Sequence, residues 1–152
     1  GNNDIITIDL SPQAGDIWGD YARTIIMENG KVVEDIGLIE NPEWKSDLQM
    51  EEKLHIELLR FATKEITFEK LYYHMNKYIV ENGFVNLDFM GNLGHSIVKT
   101  KGDRVYIEKG NMTKFGDVKY FTFEPHIAFP DLKYGYKKEN IYYFNENGLM
   151  EL

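Results

Sequence analysis

The chain has 152 residues, a formal charge of −8 at pH 7 and no cysteine. This length suffices for one domain with a substantial core, and a hydrophobic content of 43% with 14% aromatic residues indicates a folded globular protein. The negative charge disfavours a surface for nucleic acid or anionic membranes, and the lack of cysteine excludes disulfides, thiolate metal sites and cysteine nucleophiles. No apolar run approaches the ~20 residues that cross a bilayer, and no signal peptide is visible, so the cytoplasm is the default location.

Two aspartates lie at the inner ends of the two strands of a predicted β-hairpin at the start of the chain. Asp4–Leu10 reads as a strand, and Ile17–Met27 reads as its partner across a turn that contains Pro and Gly. This hairpin would bring Asp9 and Asp20 to one place, where two carboxylates repel each other unless a cation lies between them. Taken alone, the pair fits a solvated turn equally well.

Two amphipathic helices are predicted in the middle of the chain. Lys31–Leu38 reads first as a further strand or extension. A helix then starts at Asn41-Pro42, and apolar residues recur at spacings of three and four through Ser46–Ala62. Thr67 fits the N-cap of a second helix, which Asn82-Gly83 ends.

Strands return in the last third of the chain. Arg104–Ile107 alternates like a short strand, whereas Val118–Phe129 and Tyr136–Asn145 read as long ones. Asn147-Gly148 then forms a turn before a short final strand. The order of strands, two helices and strands predicts one α+β domain over residues 1–152, with the helices on one face of a mostly antiparallel sheet.

Three further residues are candidates for chemistry. His95 follows a glycine that permits close approach of the backbone. Glu124 lies in an aromatic run, where burial is costly unless the carboxylate is paired, protonated or bound to metal. Glu139 lies at the entry to an apolar strand. Each residue alone is most simply a solvated or hydrogen-bonded side chain, but the five candidates together form a pattern.

That pattern resembles the ligand set of the pita-bread metallopeptidases, which include methionine aminopeptidase, X-Pro aminopeptidase and prolidase, with the non-metal creatinase as a relative. The family pattern is an aspartate, ten residues, a second aspartate, a Gly-His after two helices, a Glu-Pro at a strand, and a final strand Glu after a Gly. This chain matches it in order with Asp9, Asp20, Gly94-His95, Glu124-Pro125 and Glu139. The resemblance implies a pita-bread fold, a curved and mostly antiparallel sheet, whose N-terminal portion would lie upstream of Gly1.

The resemblance also implies a role for each residue. Asp9 would bind one metal ion, Asp20 and Glu139 would bridge the two ions, and His95 and Glu124 would complete the set of ligands of the second ion. Ligands rich in oxygen with one imidazole suit Mn²⁺, Co²⁺, Fe²⁺ or Zn²⁺. Glu124 would also serve as the general base for a water acidified by the two ions.

Several positions depart from the family pattern. The family has a further histidine a few residues after its ligand histidine, but Val98–Arg104 contains none. Lys137 stands where the family commonly has Arg, and Asn140 stands where it has Asp. His126 replaces the glycine after Glu-Pro, and we expect it to reach the pocket as a substitute acid or donor for substrate.

Other side chains near the motifs have two interpretations. Lys99, Lys101 and Arg104 either supply the positive charge of the missing histidine or lie in a solvated loop. Trp18 is predicted to pack beside the site, and lining the substrate pocket is the alternative.

The sequence thus predicts a hydrolase with two metal ions that cleaves at the N-terminal end of short peptides, of the X-Pro aminopeptidase or dipeptidase type. The alternative is a pita-bread binding module that keeps the metal or ligand site without turnover. We expect the protein to bind a short peptide substrate and to bind neither nucleic acid nor a membrane. The oligomeric state is left open, with a homodimer as one option. With its N-terminal portion upstream, this stretch alone is expected to be weakly active and prone to self-association.

Overall fold

The computed structural model describes residues 1–15 and 17–152. Its helices are α1, Pro42–Phe61, and α2, Phe68–Glu81, with short 3-10 turns at Ile36–Leu38, Lys101–Asp103 and Phe115–Asp117. Its strands in chain order are β1 Asp4–Leu10, β2 Gln13–Ala14, β3 Ile17–Trp18, β4 Tyr21–Glu28, β5 Lys31–Val33, β6 Val85–Asn86, β7 Ser96–Ile97, β8 Tyr120–Phe123, β9 His126–Ala128, β10 Tyr136–Asn145 and β11 Gly148–Glu151.

The long strand β10 is the centre of the sheet. The main path of hydrogen-bonded strands is β1-β4-β10-β8-β7, and every pairing in it is antiparallel. At its start β10 pairs with β4 and β9, and further along it pairs with β8 and β11. Because neighbours change along one strand, the sheet curls, and this confirms the predicted curved, mostly antiparallel sheet of a pita-bread fold.

Both helices begin where the sequence predicts. The Asn41 side chain accepts hydrogen bonds from the backbone N–H groups of Glu43 and Trp44, at 3.0 and 3.3 Å. The Thr67 hydroxyl accepts from the backbone N–H of Lys70 at 3.2 Å, as an N-cap does. Glu28, at the end of β4, accepts from the backbone N–H groups of two residues before α1, which ties the helix to the sheet.

The helices pack with the sheet around an aromatic and aliphatic core. α1 contacts β10 through His55, whose Nδ1 lies 2.6 Å from the Tyr142 hydroxyl. Lys138 of β10 also pairs with Glu52 of α1, at 2.5 Å. The largest fully buried side chains of the core are Tyr136, Tyr142, Phe68, Phe115, Phe121, Phe123, Ile26, Leu54, Leu58, Leu71, Met75 and Ile79. No helix in the described ranges is both long and apolar enough to cross a membrane.

Two predicted strands are interrupted, and each interruption holds a candidate ligand. Ile17–Met27 was predicted as one strand but is two, β3 and β4, separated at Gly19-Asp20. Val118–Phe129 is likewise two strands, β8 and β9, separated at Glu124-Pro125, where proline has no N–H for the ladder. The β propensity of a segment reflects the residue types on both sides of such a break, but it carries no information on a change of strand partner.

One other predicted strand is shorter than expected, and one does not form. Of Lys31–Leu38, only Lys31–Val33 is a strand, and a 3-10 turn follows at Ile36–Leu38. Arg104–Ile107 forms no strand of its own, and Tyr106 makes only an isolated bridge to His95. That bridge nevertheless matters, because it supports the histidine from the side opposite β8.

Candidate metal centre

Strand register places two candidate ligands on one face of the sheet. Asp9 of β1 lies opposite Ala22 of β4, and Ala22 lies opposite Glu139 of β10. Residues directly opposite in antiparallel strands point to the same face. Since Lys138 meets α1 and successive side chains alternate, Glu139 points away from that helix. The candidate site therefore lies on the face of the sheet opposite α1.

A glycine allows His95 to enter the site. Gly94 has φ of +140°, and a Cβ placed there would lie 2.1 Å from the carbonyl oxygen of Thr122. Only glycine fits this close approach between the Gly94-His95 segment and β8. The contact is held by the backbone N–H of His95, which donates to the Thr122 hydroxyl at 3.1 Å, and by the N–H of Thr122, which donates to the His95 carbonyl at 2.7 Å.

Three side chains then converge. Asp20, His95 and Glu139 are all buried and offer ligand atoms that lie within 4.8 Å of one another. Nε2 of His95 lies 3.4 Å from Oδ2 of Asp20 and 3.6 Å from Oε1 of Glu124. The fold thus brings together residues that are far apart in sequence, since His95 follows Asp20 by 75 positions and Glu139 follows His95 by 44.

The histidine is oriented as a ligand. Its Nδ1 lies 3.0 Å from the carbonyl oxygen of Ser96, which can only accept a hydrogen bond, so the neutral ring carries its hydrogen on Nδ1. The lone pair of Nε2 consequently faces the carboxylates of Asp20 and Glu124. A backbone acceptor that fixes the tautomer in this way is typical of histidines that bind metal.

Glu139 provides the test of whether a cation fits. Its side chain is 1% exposed, and neither carboxylate oxygen has a hydrogen-bond partner among the described residues. Burial, together with the neighbouring charges of Glu124 and Asp20, raises the pKa of Glu139 to about 8. A buried carboxylate without partners is costly, and a divalent cation beside Asp20 and His95 would relieve that cost. The residues present therefore fit a metal ion.

Asp9 and Glu124 are arranged differently from the other three. The ammonium of Lys137 lies 2.7 Å from Oδ2 of Asp9 and 2.9 Å from Oε2 of Glu124. Burial by itself lowers the pKa of Lys137, but Glu124 and Asp9 outweigh it and raise that pKa above its usual value. A charged lysine therefore joins two carboxylates for which the sequence predicted metal. Lys137 and Glu139 share a face by alternation, which is the sequence signal that could have revealed this contact.

His126 lies beside the centre in an open cavity. The cavity has a volume of about 320 Å³, and its lining includes Glu124, His126, Lys137, Tyr106 and Asp88. Burial and the positive charge of Lys137 lower the pKa of His126 below its usual value, so the ring is neutral at pH 7. Gly135 permits this placement, because a Cβ there would lie 2.8 Å from Nε2 of His126.

The other side of the centre is closed by an aromatic and cationic stack. The ring of Trp18 is 4% exposed and lies 5.7 Å from the His95 ring, so the predicted packing beside the site is observed. The Arg104 guanidinium lies 4.3 Å from the centre of the Trp18 ring, and its Nη1 lies 3.4 Å from Nε2 of His95. Lys101 lies over the same tryptophan, at 5.0 Å. Arg104 thus brings positive charge to the centre, whereas Lys101 stays at its edge.

Solved structures share this fold. The chain aligns over 97% of its length with the X-Pro aminopeptidase from Thermotoga maritima, with a TM-score of 0.74 and 20% identity. For the prolidase from Pyrococcus horikoshii the TM-score is 0.75 at 20% identity, again over 97% of this chain. For the methionine aminopeptidase from Thermotoga maritima it is 0.70 at 13% identity, also over 97%. The chain spans 38%, 39% and 62% of those three proteins, respectively.

The family assignment rests on a match over nearly the whole sequence. No curated protein sequence matches this chain. The sequence model of metallopeptidase family M24 matches residues 1–146, which include all five candidate ligands and the strands that carry them. With the curled sheet and the buried Asp-His-Glu group, this match shows that the chain belongs to metallopeptidase family M24.

Proposed function

We propose that this protein is a metal-dependent peptidase that cleaves at the N-terminal end of short peptides, of the X-Pro aminopeptidase or dipeptidase type. The observation that carries the proposal is the convergence of Asp20, His95 and Glu139, with both carboxylate oxygens of Glu139 lacking a hydrogen-bond partner among the described residues. Similar folds whose names support this substrate class are an X-Pro aminopeptidase, prolidases and a dipeptidase from Mycobacterium ulcerans.

The donor set suits Mn²⁺, Co²⁺, Fe²⁺ or Zn²⁺. The resemblance implies two ions, and the buried three-residue group accounts for one of them. A divalent ion held there would polarise a peptide carbonyl and acidify water. The rest of the chemistry belongs to side chains of this chain.

Glu124 is the proposed general base. It is 22% exposed, lies next to His95 and lines the open cavity, so it can take a proton from water and pass it to the leaving amine. His126 is neutral in the same cavity and is the proposed donor to the substrate. Trp18 is the proposed wall of the substrate site, where it holds the His95 ring in place.

A binding module without turnover is the second candidate. It is favoured by the two cationic side chains at the centre, because Lys137 holds Glu124 at 2.9 Å and Arg104 lies 3.4 Å from the free nitrogen of His95. These contacts occupy the proposed base and one proposed ligand. Such a protein would bind short peptides tightly and release them uncleaved.

Metal analysis and a peptide assay separate the candidates. Full-length protein is freed of metal with a chelator, loaded with Mn²⁺ or Co²⁺, and tested on Xaa-Pro and Xaa-Xaa dipeptides. Asp20→Ala should abolish metal binding. Loss of a general base typically costs ~10²- to 10⁴-fold in rate, so Glu124→Gln should lower turnover at least ~100-fold. Glu146→Gln, in an exposed turn, is the matched control and should match the wild type.

The outcomes are distinct. Turnover that requires metal and Glu124 supports the peptidase. Submicromolar peptide binding without cleavage supports the binding module. A wild-type protein that binds no transition metal contradicts both the peptidase and its proposed ligand set.

A further inference from the structure

Lys137 occupies a special place in the centre. It precedes Glu139 by two residues on β10, so both side chains point to the same face of the sheet. Its side chain is 15% exposed, and its ammonium lies within hydrogen-bond distance of both Asp9 and Glu124. The lysine is therefore a built-in cation between two carboxylates from different parts of the chain, one on β1 and one in the break between β8 and β9.

The five candidate ligands consequently divide into two groups. Asp20, His95 and Glu139 form a buried cluster, in which neither carboxylate oxygen of Glu139 has a hydrogen-bond partner among the described residues. Asp9 and Glu124 already share a positive charge, and the side chain of Asp9 is 49% exposed. A second metal ion drawn to those two carboxylates would have to displace the ammonium or lie beside a like charge.

We propose that the Lys137 ammonium takes the place of one metal ion, so that the protein binds a single transition-metal ion at Asp20, His95 and Glu139. This inference rests on the proposed function, because it presumes that the centre binds metal. It changes the balance of charge: one lysine offsets Asp9 and Glu124 in part, and one divalent ion offsets Asp20 and Glu139. Glu124 is then held by Lys137 and not by metal.

The neighbouring lysine, Lys138, tests whether the position of the positive charge sets the number of bound metal ions. Lys138 points to the other face of β10 and pairs with Glu52 of α1 at 2.5 Å. It therefore provides a matched control, with the same side chain one residue away and on the helix side of the sheet.

The test counts bound ions directly. The metal-free protein is dialysed against Mn²⁺, the bound metal is measured by plasma mass spectrometry, and electron paramagnetic resonance tells an isolated Mn²⁺ from a coupled pair. We expect one ion per chain in the wild type and in Lys138→Met, with the signal of an isolated ion. In Lys137→Met, which removes the charge but keeps the length, we expect two ions per chain and a coupled signal.

A second variant covers the case in which Lys137→Met does not fold. Asp9→Asn should leave the single ion in place, with its Kd changed less than about threefold, because Asp9 is not among its ligands. Two ions of similar affinity in the wild type, or loss of an ion in Asp9→Asn, would overturn the inference while leaving the proposed function intact. No bound ion in the wild type would overturn the proposed function itself.

Discussion

Substitution of Gly94 by alanine tests the packing that brings His95 into the centre. The added Cβ would lie 2.1 Å from the carbonyl oxygen of Thr122, and the backbone keeps φ at +140°, where side chains are strained. Such strain costs about 1–3 kcal/mol, and forcing the backbone apart costs about 1–3 kcal/mol more. We therefore expect Gly94→Ala to lower the free energy of unfolding by about 4 kcal/mol.

Substitutions at two other glycines separate the cost of backbone strain from the cost of the steric clash. Gly110 has φ of +85° but open space around its Cβ position, so Gly110→Ala should cost only the strain, about 1–2 kcal/mol. Gly102 has open space and no positive φ, so Gly102→Ala should be neutral or stabilising by up to about 1 kcal/mol. Urea unfolding followed by circular dichroism measures all three. The reasoning is refuted if Gly94→Ala costs no more than Gly110→Ala.

Three further substitutions test buried polar groups, each by urea unfolding. Burial lowers the pKa of His55 to about 3 in the folded protein. Below the usual histidine pKa of about 6.5, the unfolded chain therefore binds a proton that the folded protein does not bind, and the free energy of unfolding falls as pH drops below 6.5. Between pH 7 and pH 5 this loss should be about 2 kcal/mol in the wild type and absent in His55→Gln; equal slopes would contradict it. Burial raises the pKa of Glu51 well above its usual value of about 4.5, so stability should fall as pH rises above that usual value, and Glu51→Gln should flatten that fall. Glu28→Gln keeps only one acceptor for the two N–H groups before α1 and should cost about 1–2 kcal/mol; no change would show that water replaces the bond.

Local patterns in the sequence are enough to predict most of the helices and strands. Caps at Asn41 and Thr67, and the apolar spacing behind them, predict both helices, because capping and amphipathicity act within a few residues. The strand Tyr136–Asn145 was predicted with its observed bounds. The breaks at Gly19-Asp20 and Glu124-Pro125 were missed, since they arise where a segment changes its strand partner.

The sequence by itself determined the family and the set of candidate ligands, because their order and spacing along the chain are properties of the chain alone. Only the tertiary structure decided how those ligands group. Asp20, His95 and Glu139 converge in a buried cluster, whereas Asp9 and Glu124 meet the ammonium of Lys137. The reason is physical: whether two carboxylates face an empty space or a lysine depends on strand register and side-chain reach, and neither can be read from spacing.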